Sequence, residues 1–467
     1  MSGQHAFDLC VLGGGSAGFA GATTARGLGK TVAIIDGTGP LAGLCILRGC
    51  MPSKTLIRSA EIAHLMKVAP TLGVIPSAVR IDVPAMVARK RHIIGEFADD
   101  RIKGLEKFPL FRGAPCFTGP AQVQVDDDTI EAERFLVATG SHIHLPPIEG
   151  LAETGYLTSD DVLELDLLPK TVIVLGAGDV AVELAQYLVR VGVDTTIVQR
   201  GATLLSGEDP DVGQAVREAL EADGIRVHTG ALVQRVERHG KAKRVIAKTA
   251  DGELAVEAED IFAALGRRPN VEGFGFDVAG ISYDANGVKI DEYMRTTNPR
   301  IFAAGDATGM NELVHVAVYG GALAVANAFA SSPRRLNVDL WASRAVFTDP
   351  QVGIAGLTER QCRERGIAYA VARYPFNDLG KAITAELTQG FVKMLAALDG
   401  RILGVTIVGA EASDLIAEAI ALVYFGARCH DVLEMPHLHP TLAEIITYPA
   451  EELCEKIEHQ QHAVVTP

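Results

Sequence analysis

Two closely spaced cysteines are the groups in this chain best suited to redox chemistry. Cys45 and Cys50 are separated by Ile-Leu-Arg-Gly and followed by Met-Pro-Ser-Lys. If the residues between them are helical and Cys45 sits at the helix start, the two Cβ atoms lie about one and a half turns apart, within reach of a disulfide. A helix is also expected to begin near Cys50. The positive end of that helix would also lower a thiol pKa. The spacing therefore predicts a redox pair, with two buried apolar cysteines as the alternative. A metal site is not expected, because no Cys or His cluster at zinc spacing accompanies the pair.

The chain opens with the elements of a dinucleotide site. An apolar strand at residues 7–12 runs into Gly13, Gly15 and Gly18 in the order G-x-G-x-x-G, and an Ala-rich helix follows. These glycines permit a tight turn and a close approach of backbone to a pyrophosphate, which the helix N–H groups bind. The next apolar strand ends in Asp36, placed to accept hydrogen bonds from a ribose. We therefore predict that an adenine dinucleotide binds here.

The same pattern recurs later in the chain and predicts a second dinucleotide. A strand runs into Gly176 and Gly178, and Ala181 stands at the third glycine position, where a small side chain suffices for packing. The following strand ends in Gln199 and Arg200 rather than in an acid. A guanidinium can hold a 2′-phosphate, which a carboxylate would repel. The residues therefore favour NADPH over NADH at this second site.

Length, charge and hydropathy place the chain among large enzymes of the cytoplasm. Its 467 residues suggest about three domains, and no secretory signal or 18-residue apolar run is present. A net charge of −15 without long acidic blocks argues against nucleic acid or a membrane as a partner. The remaining cysteines show no repeated spacing and are expected to be unpaired thiols without a redox role. They are Cys10, Cys116, Cys362, Cys429 and Cys454.

With these motifs in view, the sequence resembles the class I pyridine nucleotide-disulfide oxidoreductases, the family of dihydrolipoamide dehydrogenase, glutathione reductase and mercuric reductase. The resemblance extends over nearly the whole chain. Besides the glycine and cysteine motifs, it rests on residues 138–141, 266–270, 296–306, 346–350, 356–359 and 437–444.

The resemblance assigns one cofactor to each glycine motif. The first dinucleotide is FAD, and the residues expected to bind it are Gly13, Gly15, Gly18, Asp36, Gly43, Lys54, Thr139, Gly140 and Asp306. The second is NADPH or NAD(H), and the residues expected to bind it are Gly176, Gly178, Ala181, Gln199, Arg200 and Gly266.

The resemblance also implies a catalytic cycle around the cysteines. Cys50 is the flavin-facing thiolate and Cys45 the thiol that exchanges with substrate. Electrons pass between NAD(P)(H), FAD and the Cys45–Cys50 disulfide. Lys54 and Glu183 are expected to pair near the flavin N5, although such a pair could also simply satisfy two buried charges.

An acid–base pair is implied near the end of the chain. His439 and Glu444 resemble the family's dyad, which one subunit of a homodimer donates to the other. Imidazole has a suitable pKa for moving the proton that thiol exchange requires, and a carboxylate would orient the ring. Without the resemblance, His439 and its neighbour His437 read as ordinary surface histidines, and His437 receives no role.

The substrate is less well defined by the residues. The overall pattern is most like dihydrolipoamide dehydrogenase, which acts on a small dithiol or a lipoyl-bearing protein. Gln199 departs from the Glu of NAD-specific members. The alternatives are an NADPH-dependent, glutathione reductase-like enzyme and a mercuric reductase-like enzyme that lacks the C-terminal cysteine pair. Arg48, between the redox cysteines, either stabilises thiolates, binds a FAD phosphate or faces solvent.

Two further alternatives assign the cysteines no part in turnover. An NADPH oxidase or quinone reductase would use FAD directly, with the cysteines regulatory. A flavoprotein serving as a binding component of an assembly would have a vestigial redox site. The presence of every expected catalytic residue weighs against the second of these.

The expected fold class is α/β, with two Rossmann-like dinucleotide-binding domains and an α+β C-terminal dimerisation domain. The predicted segments are an FAD domain at 1–148, an NAD(P) domain at 149–270, a return to the FAD domain at 271–341, and an interface domain at 342–467. A Pro-rich stretch at residues 145–150 marks the first boundary.

Overall fold

The computed structural model describes residues 3–337 and 343–465, with side chains through residue 459. Its contacts group the chain into two compact units. The first comprises Met1–Pro147, Thr158–Leu167 and Leu265–Leu336, and the second comprises Ile148–Leu157, Leu168–Ala264 and Asn337–Pro467. The four predicted domain segments stay a prediction, and the boundary between 341 and 342 lies outside the described residues.

The described chain contains both helices and strands. The helices are α1 (Ser16–Gly27), α2 (Leu44–Arg48), α3 (Cys50–Val68), α4 (Val83–Leu105), α5 (Leu151–Thr154), α6 (Ser159–Val162), α7 (Asp179–Arg190), α8 (Pro210–Ala222), α9 (Val314–Phe329), α10 (Glu359–Glu364), α11 (Gly380–Thr384), α12 (Ala412–Phe425), α13 (Cys429–Glu434) and α14 (Thr447–Val465). The strands are β1 (Gln4–Leu12), β2 (Val32–Asp36), β3 (Leu110–Arg112), β4 (Cys116–Gly119), β5 (Gln122–Val125), β6 (Asp128–Val137), β7 (Ser141–Ile143), β8 (Thr171–Leu175), β9 (Asp194–Val198), β10 (Arg226–His228), β11 (Leu232–His239), β12 (Ala242–Thr249), β13 (Gly252–Ala258), β14 (Asp260–Ala263), β15 (Arg267–Pro269), β16 (Tyr283–Asp284), β17 (Gly287–Val288), β18 (Ile301–Ala303), β19 (Arg344–Val346), β20 (Gln351–Gly356), β21 (Tyr369–Pro375), β22 (Phe391–Ala397) and β23 (Ile402–Gly409).

The first unit is built on a largely parallel sheet in the order β3-β2-β1-β6-β5-β4, with β18 also paired to β6. β1 lies parallel to both β2 and β6, so its last four residues are fully buried. Such strands must be apolar on both faces, which explains the unbroken Leu-Cys-Val-Leu run. The sheet therefore places the first glycine motif at the carboxyl end of its central strand.

Two glycines allow α1 and α9 to cross closely above this sheet. A Cβ at Gly321 would lie 2.1 Å from the carbonyl oxygen of Ala17, and one at Gly21 would lie 2.4 Å from a methyl group of Leu136. Any larger residue at either position would force the helices apart. The crossing joins a segment from the start of the chain to one about 300 residues later.

The second unit contains one parallel sheet and two antiparallel sheets among its described residues. The parallel sheet runs β10-β9-β8-β14, and a separate antiparallel sheet runs β11-β12-β13. The remaining sheet is antiparallel in the order β19-β20-β23-β22-β21. Its strands pack with α12, α13 and α14 around an apolar cluster that includes Val405, Ile416 and Leu453. The α/β prediction is thus confirmed for the described chain.

A buried ammonium in the second unit is surrounded by three carboxylates. Lys393 on β22 is only 2% exposed, and its Nζ lies 2.8 Å from Asp209, 2.9 Å from Asp211 and 3.1 Å from Glu359. Burial alone would raise the pKa of Asp209, but hydrogen bonds from Lys393 and from the Arg360 backbone N–H hold that pKa below its usual value. The cluster stabilises the fold only while these charges remain paired.

We predict that Lys393→Met destabilises the second unit by about 3–5 kcal/mol, because it leaves buried carboxylates without a cation. Denaturant unfolding of the FAD-loaded protein measures this loss. The exposed pair Lys289–Asp284 supplies the control, since Lys289→Met should cost less than about 1 kcal/mol. Because the folded pKa of Asp209 is lowered, its stabilisation is present above the unfolded value of about 4 and is lost as pH falls through the folded value. An unchanged unfolding midpoint in Lys393→Met would contradict this account.

Candidate functional site

The cysteine motif forms two helices separated by a bend. Cys50 begins α3, as expected, but Cys45 lies on the separate short helix α2. The chain turns at Gly49, where an added Cβ would lie 3.0 Å from the Cα of Cys45. Both cysteines are partly buried thiols. The bend brings them together without a continuous helix.

The two thiols interact directly. The side-chain hydrogen bond with Cys50 and then burial raise the pKa of Cys45 well above its usual range. The backbone N–H of Cys50 and the guanidinium of Arg101 oppose this rise, because both favour the thiolate. Disulfide formation requires such contact between two thiols. The nearby Arg101 guanidinium favours the thiolate, which is the form that takes part in exchange.

Arg101 on α4 is a site residue that the sequence motifs did not reveal. Its guanidinium carbon lies 4.5 Å from the ring centroid of Phe19, next to the first glycine motif. One terminal nitrogen is buried without a hydrogen-bond partner among the described residues. Burial lowers the pKa of Arg101, and Cys45 is the charge that opposes this. A buried unpaired N–H donor of this kind fits an anion such as a thiolate or a phosphate.

The first glycine motif leaves room for a pyrophosphate. Gly13 has φ of +108°, and a Cβ there would lie 2.2 Å from the carbonyl oxygen of Ala138, so only glycine fits this turn. Gly15, at the N-terminus of α1, has no atom within 4 Å of an added Cβ. Gly18 and Gly43 instead pack against backbone: an added Cβ at Gly18 would lie 1.8 Å from the Gly13 carbonyl oxygen, and one at Gly43 would lie 2.8 Å from the Gly15 Cα. The open space at a helix N-terminus suits FAD.

Polar groups at the ends of strands complete this site. Asp36 ends β2, where burial raises its pKa while the backbone N–H groups of Gly37 and Gly14 oppose the rise. Asp306 accepts a hydrogen bond of 2.7 Å from Ser141, a partner that sequence reasoning did not single out. Both carboxylates are available to sugar or ribityl hydroxyls of a dinucleotide.

The segment after β6 is held by a pair of reciprocal contacts. Thr139 Oγ1 donates to the Asn270 carbonyl at 2.7 Å, and the Asn270 backbone N–H donates to the Gly140 carbonyl at 2.8 Å. Gly266 accepts from the His144 backbone N–H at 3.0 Å. The structure therefore places Gly266, predicted for NAD(P), in the first unit beside residues predicted for FAD.

The second glycine motif repeats this geometry in the second unit. Gly178 caps α7 and has no atom within 4 Å of an added Cβ, while Ala181 is buried. Gly176 makes the turn with φ of +102°. Gln199 donates to the Thr203 carbonyl at 3.4 Å and is partly buried, whereas Arg200 is exposed. The space at Gly178 fits a nucleotide pyrophosphate, and the Arg200 side chain is accessible.

The structure describes Lys54 and Glu183 within their own units. Lys54 lies partly buried on α3, and Glu183 is buried on α7, where it accepts a hydrogen bond of 2.9 Å from the Phe347 backbone N–H. Their pairing near a flavin stays a prediction. Arg48 lies 3.4 Å from Asp160 and is more than half exposed, which favours its reading as a solvent-facing residue.

His439 and Glu444 form a dyad. His439 Nδ1 lies 2.9 Å from Glu444 Oε2, and Glu444 Oε1 accepts a hydrogen bond of 3.1 Å from the Thr441 backbone N–H. The His439 side chain is 77% exposed, whereas that of Glu444 is 12% exposed. The carboxylate therefore orients an accessible imidazole. His437 pairs instead with Glu418 at 2.9 Å and is not part of the dyad.

Two other cysteines are also brought together. The sulfur atoms of Cys429 on α13 and Cys454 on α14 lie 3.1 Å apart. Both are free thiols, as the sequence predicts. Packing of the two helices nevertheless brings their sulfur atoms into contact, which no sequence motif indicated.

Residues 3–337 and 343–465 contain neither a candidate membrane-spanning helix nor a candidate metal-binding cluster. No helix there is both long and apolar enough to cross a membrane. Within the same ranges, no group of three or more His, Cys, Asp or Glu residues is arranged to hold a metal ion.

Known proteins share both sequence and fold with this chain. A mercuric reductase of Bacillus cereus is 35% identical over 95% of this chain and 70% of its own length. A dihydrolipoyl dehydrogenase of Bacillus subtilis is 31% identical over 94% of this chain and 96% of its own. The HOCl-induced flavoprotein disulfide reductase RclA of Escherichia coli, solved as a Cu(II) complex, superposes with a TM-score of 0.84 over 96% of this chain and 100% of its own, at 23% identity, which indicates a shared fold.

Two family models cover most of the sequence. Residues 7–321 match the pyridine nucleotide-disulphide oxidoreductase model, and residues 342–450 match the dimerisation domain of the same family. These matches confirm the fold class and the cofactors FAD and NAD(P)H, and they identify a flavin oxidoreductase that acts on a sulfur group. The chain belongs to the pyridine nucleotide-disulphide oxidoreductase family.

Proposed function

We propose that the protein is a dihydrolipoamide dehydrogenase-like enzyme that exchanges electrons between NAD(P)(H) and a small dithiol or a lipoyl-bearing protein. The observation that carries the proposal is the direct contact between Cys45 and Cys50 at the bend between α2 and α3. A pair in contact can alternate between dithiol and disulfide with little movement of backbone. FAD, when bound, supplies the two-electron exchange with the nicotinamide.

In this proposal the two cysteines have different roles. Cys45 attacks or releases the substrate sulfur, and Cys50 closes or opens the internal disulfide. Arg101 stabilises the Cys45 thiolate, since its positive charge opposes the rise in the pKa of that thiol. Lys54 and Glu183 form the charge pair beside the cofactor, as the family resemblance implies.

The proton for thiol exchange is assigned to His439. Glu444 holds the imidazole at 2.9 Å and stabilises its protonated form, which supports an acid–base role. We propose that the protein is a homodimer in which this dyad serves the Cys45–Cys50 pair of the partner subunit. The dimerisation domain at residues 342–450 supports that arrangement.

Steady-state turnover of the FAD-loaded protein tests the proposal. NADH and NADPH are each assayed with lipoamide and oxidised glutathione, and dihydrolipoamide is assayed with NAD⁺. Lipoamide turnover in either direction supports the proposed function. Failure with lipoamide, together with NADPH-dependent reduction of glutathione disulfide, would replace it with a specialised disulfide reductase.

Two observations favour other members of the family as second candidates. Gln199 and the exposed Arg200 favour an NADPH-dependent reductase of another disulfide. The mercuric reductase relatives favour reduction of mercuric ion. Adding Hg(II) to the same assay separates this outcome, because rapid NADPH oxidation with Hg(II) alone would identify it.

We predict that Arg200→Ala weakens the binding of NADPH but not that of NADH. Loss of one guanidinium contact to a 2′-phosphate should raise the KM for NADPH about tenfold and leave that for NADH unchanged. The exposed Arg235 on β11 provides the control, and its substitution by alanine should alter neither KM. Equal effects of Arg200→Ala on the two nucleotides would show that Arg200 is a surface residue without a role in selection.

A further inference from the structure

The pair Cys429 and Cys454 lies outside the redox site described above. Cys429 is the first residue of α13 and is 4% exposed, and its backbone N–H donates to the Gly400 carbonyl at 2.9 Å. Cys454 is partly buried on α14, and the sulfur atoms are 3.1 Å apart. Each cysteine is therefore anchored on a helix that packs against the other.

The surroundings of this pair keep the Cys454 sulfur as a thiol at neutral pH. Burial, followed by the contact with Cys429, raises the pKa of Cys454 to about 12, and the carboxylates of Glu451 and Glu458 add to the rise. Cys429 itself belongs to the apolar cluster of the second unit. A thiol with a raised pKa exchanges slowly, because little of it is thiolate. A disulfide that must release such a thiol is also slow to open.

We propose that Cys429 and Cys454 form a second, intrachain disulfide site that oxidation by a low-molecular-weight disulfide closes. The more accessible Cys454 loses a proton and attacks one sulfur of the oxidant, which releases one thiol and leaves a mixed disulfide. Cys429 then attacks Cys454, and its proton leaves with the second thiol. Two protein thiols and one disulfide thus give one protein disulfide and two small thiols.

Closing this bond would tie both ends of the segment that carries the His439–Glu444 dyad. The cysteines are 25 residues apart, and the dyad lies between them. A cross-link over a loop of this length reduces the freedom of the unfolded chain and limits opening of the loop in the folded one. The oxidised protein should therefore hold the dyad segment more rigidly.

Peptide mapping after oxidation tests the proposal. The FAD-loaded protein is incubated with 2-hydroxyethyl disulfide without NAD(P)H, then denatured, alkylated and digested. We expect a linked peptide pair containing Cys429 and Cys454, two hydrogen atoms lighter than the separate peptides. The protein should run as a monomer on a non-reducing denaturing gel, and its thermal midpoint should rise by about 5 °C. Amide hydrogen exchange at residues 435–446 should slow.

Two variants and an internal control make the result specific. Cys454→Ser should abolish the linked peptide and the rise in midpoint, whereas Cys362→Ser, which changes a buried cysteine outside the pair, should retain both. The state of the Cys45–Cys50 pair in the same digest shows whether the oxidant acted. If that pair is oxidised while Cys429 and Cys454 are both alkylated, or Cys454 carries only the small thiol, the proposed site is wrong. The mapping does not depend on which substrate the enzyme turns over.

Discussion

Cys45→Ser should abolish turnover of lipoamide while the purified protein still binds FAD and oxidises NAD(P)H with oxygen. The expected loss is at least about 10³-fold in kcat, because serine cannot form the mixed disulfide through which exchange proceeds. Most of the predicted FAD-binding residues lie outside α2, so their geometry should survive a change of sulfur to oxygen. Parallel assays with lipoamide and with oxygen measure the two activities on one preparation.

Cys116→Ser is the matched control for this experiment. Cys116 is also partly buried in the first unit, on β4, and has no assigned role, so its substitution should leave both activities within about twofold of wild type. Undiminished lipoamide turnover in Cys45→Ser would refute the interchange role. It would favour an enzyme that uses FAD directly, with regulatory cysteines.

His439→Gln should slow disulfide turnover by about 10²–10⁴-fold and leave reduction of the bound flavin by NAD(P)H nearly unchanged. Glutamine keeps a polar side chain of similar size but cannot carry the proton that the leaving sulfur needs. Stopped-flow absorbance of the flavin measures the first half-reaction, and steady-state assays with lipoamide measure the whole cycle. The difference between the two isolates the acid–base step.

His437→Gln controls for disturbance of the surrounding loop. His437 lies two residues away and pairs with Glu418 at 2.9 Å, so its substitution tests local structure without touching the dyad. We expect it to retain near-normal turnover. Equal loss of both half-reactions in His439→Gln would show instead that the substitution disrupts folding or dimerisation, and the molecular mass in solution would identify which.

The features that sequence alone predicted are those whose chemistry is local. A glycine turn, the strand before it and the helix after it are specified by neighbouring residues, so the sites at Gly15 and Gly178 were recognisable. The 2.9 Å contact of His439 with Glu444 spans only five residues, but the family resemblance, not the residues alone, predicted it. The beginning of α3 at Cys50 was predicted for this reason too.

The features that sequence did not reveal depend on distant packing. Arg101 reaches the surroundings of Cys45 only because α4 lies near α2. The sequence around Arg101 does not distinguish it from the other basic residues of α4. Cys429 and Cys454 meet because two C-terminal helices pack together. In each case a tertiary contact overrides the local pattern.

The crossing of α1 and α9 imposes an order on the synthesis and folding of this protein. Gly21 leaves the ribosome about 300 residues before Gly321, which corresponds to about 15–60 s at ordinary rates of synthesis. During that interval the opening sheet lacks β18 and its covering helix, so an apolar face is exposed to other nascent chains. The predicted NAD(P) segment at 149–270 is translated in the same interval. The sheet of the first unit is therefore begun first and completed late, and we expect chaperones to bind the nascent chain during this interval.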